Sequence, residues 1–144
     1  MDAAPHRGSN IRQMSPTRIL ILIACALAFS ACGDARQQAE RRLDGVGAAR
    51  LRHDAAMLYK DLYSSPRKTA FVEVAVKSWP KSFQQFAPRH VAAYQDGFTI
   101  ATRTHLKGES GIYVVPASMD YEPKTSPGTV FQKIADGVYW YSFD

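Results

Sequence analysis

Residues 91–104 read VAAYQDGFTIATRT. Two short, mostly apolar runs flank Asp96-Gly97. That dipeptide is a strong hairpin signal, because a two-residue type I′ loop needs positive φ at both central positions. With Asp96 and Gly97 as the loop, Gln95 faces Phe98, Ala93 faces Ile100 and Val91 faces Thr102. Those six residues share one side, which is mostly apolar. Ala92, Tyr94, Thr99 and Ala101 share the other. A lone hairpin is marginal in water, so the rest of the chain must supply more sheet and a cover.

Downstream, His105 to Gly111 (HLKGESG) reads as a polar loop and Ile112 to Pro116 as a short strand, with Pro116 marking its end. Ala117 to Gly128 is a twelve-residue loop with two prolines, longer than the usual connection. It is expected to be functional or mobile. Val130 to Phe143 repeats the hairpin pattern around Asp136-Gly137, with strands VFQKI and VYWYSF.

Upstream, Ala48 to Tyr63 (AARLRHDAAMLYKDLY) places Leu51, Ala55, Leu58 and Leu62 on one helical stripe. Ser64-Ser65-Pro66 ends it, since proline cannot continue a helix and restricts its predecessor. Thr69 to Lys77 is rich in β-branched residues and reads as a strand with Ala70, Val72, Val74 and Val76 on one face. Pro80 suits the first turn of a short helix that gathers Trp79, Phe83 and Phe86, before Pro88 stops it. The expected fold is α+β. An N-terminal amphipathic helix and a short aromatic helix pack on an antiparallel β-meander of about four or five strands, within one domain over residues 48–144.

The segment before that domain has a different character. Arg18 precedes Ile19 to Ser30, a run of twelve residues that is apolar up to its final serine. As a helix it would cover about 18 Å. A bilayer core is about 30 Å thick and takes about 20 residues to cross. The run therefore has the length of a secretory h-region, behind Arg7, Arg12 and Arg18. Phe29-Ser30-Ala31-Cys32 follows and resembles the lipobox of bacterial lipoproteins at Ser30, Ala31 and Cys32, with Phe29 where that class usually has leucine. The resemblance covers about fifteen residues and no more. It implies a signal peptide over residues 1–31, with Met14 as an alternative start, and a diacylglycerol on Cys32, which becomes the first mature residue. It also implies export and a membrane held by lipid. Gly33 stands where such lipoproteins often carry Asp for inner-membrane retention, which favours the periplasmic face of an outer membrane in a cell that has one. The alternatives are a signal cut without lipidation and an uncleaved anchor. Gly33 to Gly47 is polar and broken by glycines and reads as a frayed helix or a tether, so residues 32–47 are expected to form the lipid attachment and a tether.

Removing Arg7, Arg12, Arg18 and Asp2 lowers the formal net charge from +5 to about +3. A domain of that charge beside a membrane weakly favours anionic lipid or polysaccharide, and the same charge serves ordinary solubility. The chain has two cysteines, Cys25 in the apolar run and Cys32. With Cys32 acylated, no thiol is left for a disulfide, a nucleophile or a cysteine-rich zinc site.

No motif for catalysis emerges. His53, His90 and His105 are not at metal-ligand spacing, and His53 and Asp54 are neighbours that point apart on a helix. No P-loop, dinucleotide turn or G-x-S-x-G elbow is present; Glu109-Ser110-Gly111 is a loop sequence. Asp120 and Glu122 share the long loop, where acids are usually solvated. No catalytic, cofactor or metal residue is assigned, and no nucleic-acid partner. Tyr113, Tyr121, Tyr139 and Tyr141 become candidates for stacking on a sugar or peptide if they share an exposed patch; otherwise they fill the core. The leading expectation is a lipid-anchored envelope module that binds an envelope protein or a cell-wall glycan without catalysis. An envelope hydrolase is the alternative, and it requires at least two of His90, His105, Glu109, Asp120 and Glu122 to converge. A structural lipoprotein without a specific ligand is the third.

Overall fold

The computed structural model describes residues 35–64 and 70–143. The expected signal segment, Cys32 and Gly33 lie outside the described residues. The described residues form three helices and a six-stranded, wholly antiparallel sheet, an α+β fold. Residues 35–46 form α1, and α2 spans Ala48–Leu62. Then come β1 (Phe71–Glu73), a 3₁₀ turn (Val76–Ser78) and α3 (Lys81–Gln84). The remaining strands are β2 (His90–Tyr94), β3 (Phe98–His105), β4 (Gly108–Val114), β5 (Thr129–Ala135) and β6 (Val138–Phe143).

The helix expected to lead the domain is its second. Residues 35–46, read as part of a tether, are helical and bury Ala35, Ala39 and Leu43. Those residues recur every four positions, one face of a helix, and Val46 extends the stripe. Gly47, at φ +82°, separates α1 from α2. Helix α2 buries Leu51, Ala55 and Leu58. Together with Phe83 and Phe86 these side chains cover one sheet face made of Val91, Ala93, Phe98, Ile100, Ile112, Val114 and Val138.

The sheet has six strands rather than four or five, and it is not a simple meander. Its order is β1-β2-β3-β4-β6-β5. The strand that follows β4 in sequence takes the edge, and β6 lies between them. Residues 115–128 therefore pass β6 on the way to β5. They begin beside Val114↔Val138 and arrive beside Thr129↔Phe143, the opposite end of β6. Met119 from this loop packs with Tyr113, Val115, Tyr139 and Tyr141 on the second sheet face. Thr125 Oγ1 accepts a 3.1 Å hydrogen bond from the Phe131 N–H and covers part of the β5 edge. The long loop thus closes over the face the helices leave open.

The hairpins depart from the expected geometry in instructive ways. Ala93 faces Phe98 and Val91 faces Ile100, a register two residues from that of a two-residue Asp96-Gly97 loop. An even slip keeps every side chain on its face, so the apolar side is unchanged. Gly97 has no positive φ. Its role is space: a Cβ there would sit 2.7 Å from the Tyr113 ring and from the Val114 carbonyl. The stretch HLKGESG is not a loop but the end of the β3–β4 hairpin, with His105 facing Gly108 around Leu106-Lys107. The expected strand over 69–77 is cut to three residues, after which Val74 is buried and Val76 exposed.

Candidate functional site

The only pair among the expected catalytic candidates that meets is His90 with Glu109, among the described residues. The His90 Nε2 lies 2.7 Å from Glu109 Oε2. Glu109 Oε1 accepts a 2.8 Å hydrogen bond from the Tyr141 hydroxyl. Strand pairing explains the meeting. His90 faces Ala101, Ala101 faces Gly111, and Gly111 faces Tyr141, in one row across four strands. Ala101 and Gly111 add almost no bulk, which leaves the row open between the two large rings. Glu109 stands two residues from Gly111, on the same face, and its carboxylate fills the opening. A register irregularity between Ala101 and Arg103 lies beside it, a common device for re-aiming side chains.

The surroundings are phenolic. Burial, then the Glu109 charge and its hydrogen bond, push the Tyr141 hydroxyl up from its ordinary value. Burial and the Glu109 charge also raise Tyr94. Thr99 Oγ1 is buried without a well-formed hydrogen bond, and its nearness to the Tyr94 and Tyr141 hydroxyls offsets only a small part of their rise. Further along the face, Tyr113 donates a 2.8 Å hydrogen bond to Asp96 Oδ1. Its phenol is raised first by burial and then by that bond. Protonated phenols that donate to carboxylates make a satisfied polar layer in an otherwise apolar face.

Chemically, the cluster holds a carboxylate–imidazole pair with one imidazole edge still reachable, since the His90 side chain is one-third exposed, at 33%. No nucleophile bonds to that imidazole among the described residues, so the triad arrangement is incomplete. His105, Asp120 and Glu122 are exposed and do not join it. Among the described residues no group of three or more His, Cys, Asp or Glu can hold a metal ion.

The tyrosines do not form the exposed stacking patch that was considered. Tyr113, Tyr139 and Tyr141 are buried, and only Tyr121 is exposed. They sit beneath the 115–128 loop as core. The large exposed apolar residues instead include Leu106 at the β3–β4 turn, Phe71 and Val76 near the first edge, and Met57 on α2. A separate feature, unseen in the sequence, lies on the helical side. A cavity of about 410 Å³ between α1, α2 and α3 is lined by Arg42, Arg50, Lys81, Ser82 and Gln85. Its cations come from three different elements, so no run of charges in the sequence announces it.

No helix among the described residues is long and apolar enough to cross a membrane. No family model, curated protein or solved structure matches the chain.

Proposed function

We propose that the chain is an exported lipoprotein of the cell envelope, anchored by an acylated Cys32, whose domain serves as a non-catalytic binding module. The observation that carries the anchor is the run from Arg18 to Cys32 with its lipobox-like end. Its periplasmic, outer-membrane placement rests on Gly33. An envelope protein or a cell-wall glycan is the partner class.

The fold adds a constraint to this reading. Cys32 precedes Ala35 by three residues, and Ala35 is already buried in α1. Three peptide links span at most about 11 Å. An anchor at Cys32 therefore holds the domain against the bilayer instead of on a long tether. Ala35 shares a cavity with Thr102 and Arg103, near the end of β3, and Arg36 bonds to Gln132 on β5. The chain enters at the sheet end that carries the β3–β4 turn. In this reading Leu106, fully exposed, and Lys107 face the lipid. An apolar tip beside a cation suits an anionic interface.

Intact mass of the membrane-extracted protein, beside a Cys32→Ser variant, tests the anchor. A mass of residues 32–144 plus acyl chains, lost in the variant, supports it. A cut chain without lipid, or an uncut chain, overturns it.

The meeting of His90 with Glu109 favours one second reading, an envelope hydrolase. Release of soluble fragments from purified cell-wall sacculi, abolished by Glu109→Gln, would support that activity. No release at high protein concentration would end it.

A further inference from the structure

We propose that the cavity between α1, α2 and α3 binds an organic anion bearing phosphate or carboxylate, through Arg42, Arg50 and Lys81. This deepens the reading of the domain as a binding module and is independent of the anchor at Cys32.

Three cations line the cavity and no acid does. Each comes from a different helix: Arg42 from α1, Arg50 from the first turn of α2, Lys81 from the start of α3. Like charges gathered in one concavity repel one another, and an anion relieves that repulsion. Two other helix cations are paired, Arg36 with Glu40 and Arg52 with Asp136. Arg50 and Lys81 form no salt bridge among the described residues. Arg42 is held in place, since its Nη1 donates a 2.6 Å hydrogen bond to the Phe86 carbonyl. A guanidinium fixed by one donor keeps its others in a fork suited to phosphate or carboxylate.

The polar lining complements the cations. Ser82 donates its hydroxyl proton to Asp54 at 2.6 Å, which leaves its oxygen to accept. Gln85 supplies an amide donor. The acids Asp54 and Asp61 line the adjoining cavity, where Arg50 and Lys81 also appear. Those two side chains thus stand between an acidic slot and the basic cavity, whose own lining holds no acid, with Asp54 behind Ser82. A volume of about 410 Å³ lies within the range of sites for small organic ligands, about 300–1,000 Å³, and exceeds what a lone phosphate needs. A sugar carrying the anionic group meets both the charge and the size.

The test uses the full chain in neutral detergent and calorimetric titration with four probes: inorganic phosphate, pyrophosphate, glucuronate, and vesicles containing anionic phosphatidylglycerol. Pyrophosphate or glucuronate is expected to bind, with affinity falling as salt rises. The Arg50→Gln/Lys81→Gln variant should weaken that binding at least tenfold. The Lys124→Gln/Lys133→Gln variant removes the same charge from exposed positions outside the cavity and should change it less than twofold. Thermal melting of both variants checks that they fold; if the cavity pair melts, Arg50→Lys/Lys81→Arg, which keeps the charge, must restore binding. Vesicle binding that the Arg50→Gln/Lys81→Gln variant weakens, without binding of any soluble anion, would assign the cations to the lipid surface and overturn the proposal. So would equal losses in the two charge-removing variants, which would mark general attraction, or failure of every probe. An unlipidated Cys32 leaves these outcomes untouched, so failure here and failure of the anchor are separable.

Discussion

His90 Nε2 lies 2.7 Å from Glu109 Oε2 although the two residues stand on β2 and β4, with β3 between them. Glu109 reaches over the small side chain of Ala101 and past Gly111. The same carboxylate accepts a hydrogen bond from the Tyr141 hydroxyl, so one acid ties three strands together: β2, β4 and β6.

The first prediction follows from that geometry. Glu109→Ala leaves the Tyr141 hydroxyl buried without its acceptor, a loss of about 1–3 kcal/mol. Glu109→Gln keeps an acceptor oxygen and should cost less. His90→Ala should cost the least, about 0–1 kcal/mol, because its side chain is partly exposed and its loss leaves Glu109 its bond to Tyr141. Urea denaturation of the three variants measures the order. Equal effects would mean that the carboxylate does not organise the cluster.

A second prediction concerns alkaline pH. Tyr113 and Tyr141 are raised from the ordinary value of 10.0, chiefly by burial and then by Asp96 and Glu109 respectively. In the unfolded chain these phenols lose their protons near pH 10.0. In the folded chain they keep them. Above that pH the unfolded state binds fewer protons, so stability falls as pH rises. Below it both states are protonated and the phenols add no slope. A Tyr113→Phe/Tyr141→Phe variant, though less stable at neutral pH, should lose less stability between about pH 9 and pH 11. Urea midpoints across that range decide; parallel slopes for variant and parent would contradict it.

How much of this was legible in the sequence depended on the kind of signal. Leu51, Ala55 and Leu58 announce α2 because leucine at helical spacing is unambiguous. The matching stripe on α1, Ala35, Ala39 and Leu43, is built mostly from alanine, and Gly45 and Gly47 suggest a break. The stripe was readable only by its period. The second hairpin's Asp-Gly does form a tight turn, with Ala135 facing Val138. The first does not, because Tyr113 and the Val114 carbonyl crowd Gly97, and local turn preference yields to that contact. The edge place of β5 had a local cue in Gln132 and Lys133, set against the nearly all-apolar β6, but a cue of polarity alone does not give the strand order. The His90–Glu109 pair depends on register across three strands, and the Arg42–Arg50–Lys81 cavity on the packing of three helices. Both lie beyond what spacing in a single chain encodes.

The turn at Asp136-Gly137 yields a third prediction. Gly137 has φ +61°, and a Cβ there would stand 2.4 Å from Arg52 Nε. Arg52 is itself engaged, donating from Nε to the Val115 carbonyl at 3.1 Å and pairing with Asp136. Gly137→Val therefore strains the backbone and displaces the arginine that ties α2 to the sheet. A loss of about 2–4 kcal/mol is expected. Arg52→Ala in the Gly137→Val background should cost little more, because the contact is already lost. A fully additive double variant would show that the two sites act apart.

The fourth prediction follows from the proposed anchor. With Cys32 so close to the folded domain, Leu106 at the β3–β4 turn should touch the bilayer. Leu106→Asp should leave urea stability within about 0.5 kcal/mol, as the side chain packs on nothing. In the lipidated protein the same change should increase the accessibility of a cysteine probe placed at Lys107 to a membrane-impermeant reagent. Unchanged accessibility would place the turn away from the lipid while leaving the acylation of Cys32 to its own mass measurement.

The last prediction separates a tether from a structural helix in residues 35–46. A tether residue accepts a charge at no cost, because nothing surrounds it. Leu43 is 5% exposed and belongs to the main core. Leu43→Asp must then place a carboxylate among apolar side chains, at a cost of about 3–5 kcal/mol. Ala39, 4% exposed in the same core, allows an independent check. Ala39→Leu adds volume to a packed site and should cost about 1–3 kcal/mol, whereas Gln38→Leu on the same helix should cost almost nothing. If both core substitutions leave the urea midpoint unchanged, residues 35–46 are not part of the domain. The short reach from Cys32 to the fold then loses its basis, and with it the expected contact of Leu106 with the membrane. If both destabilise as stated, α1 is structural, and an anchored domain must sit on the bilayer surface because no free chain is left to carry it away.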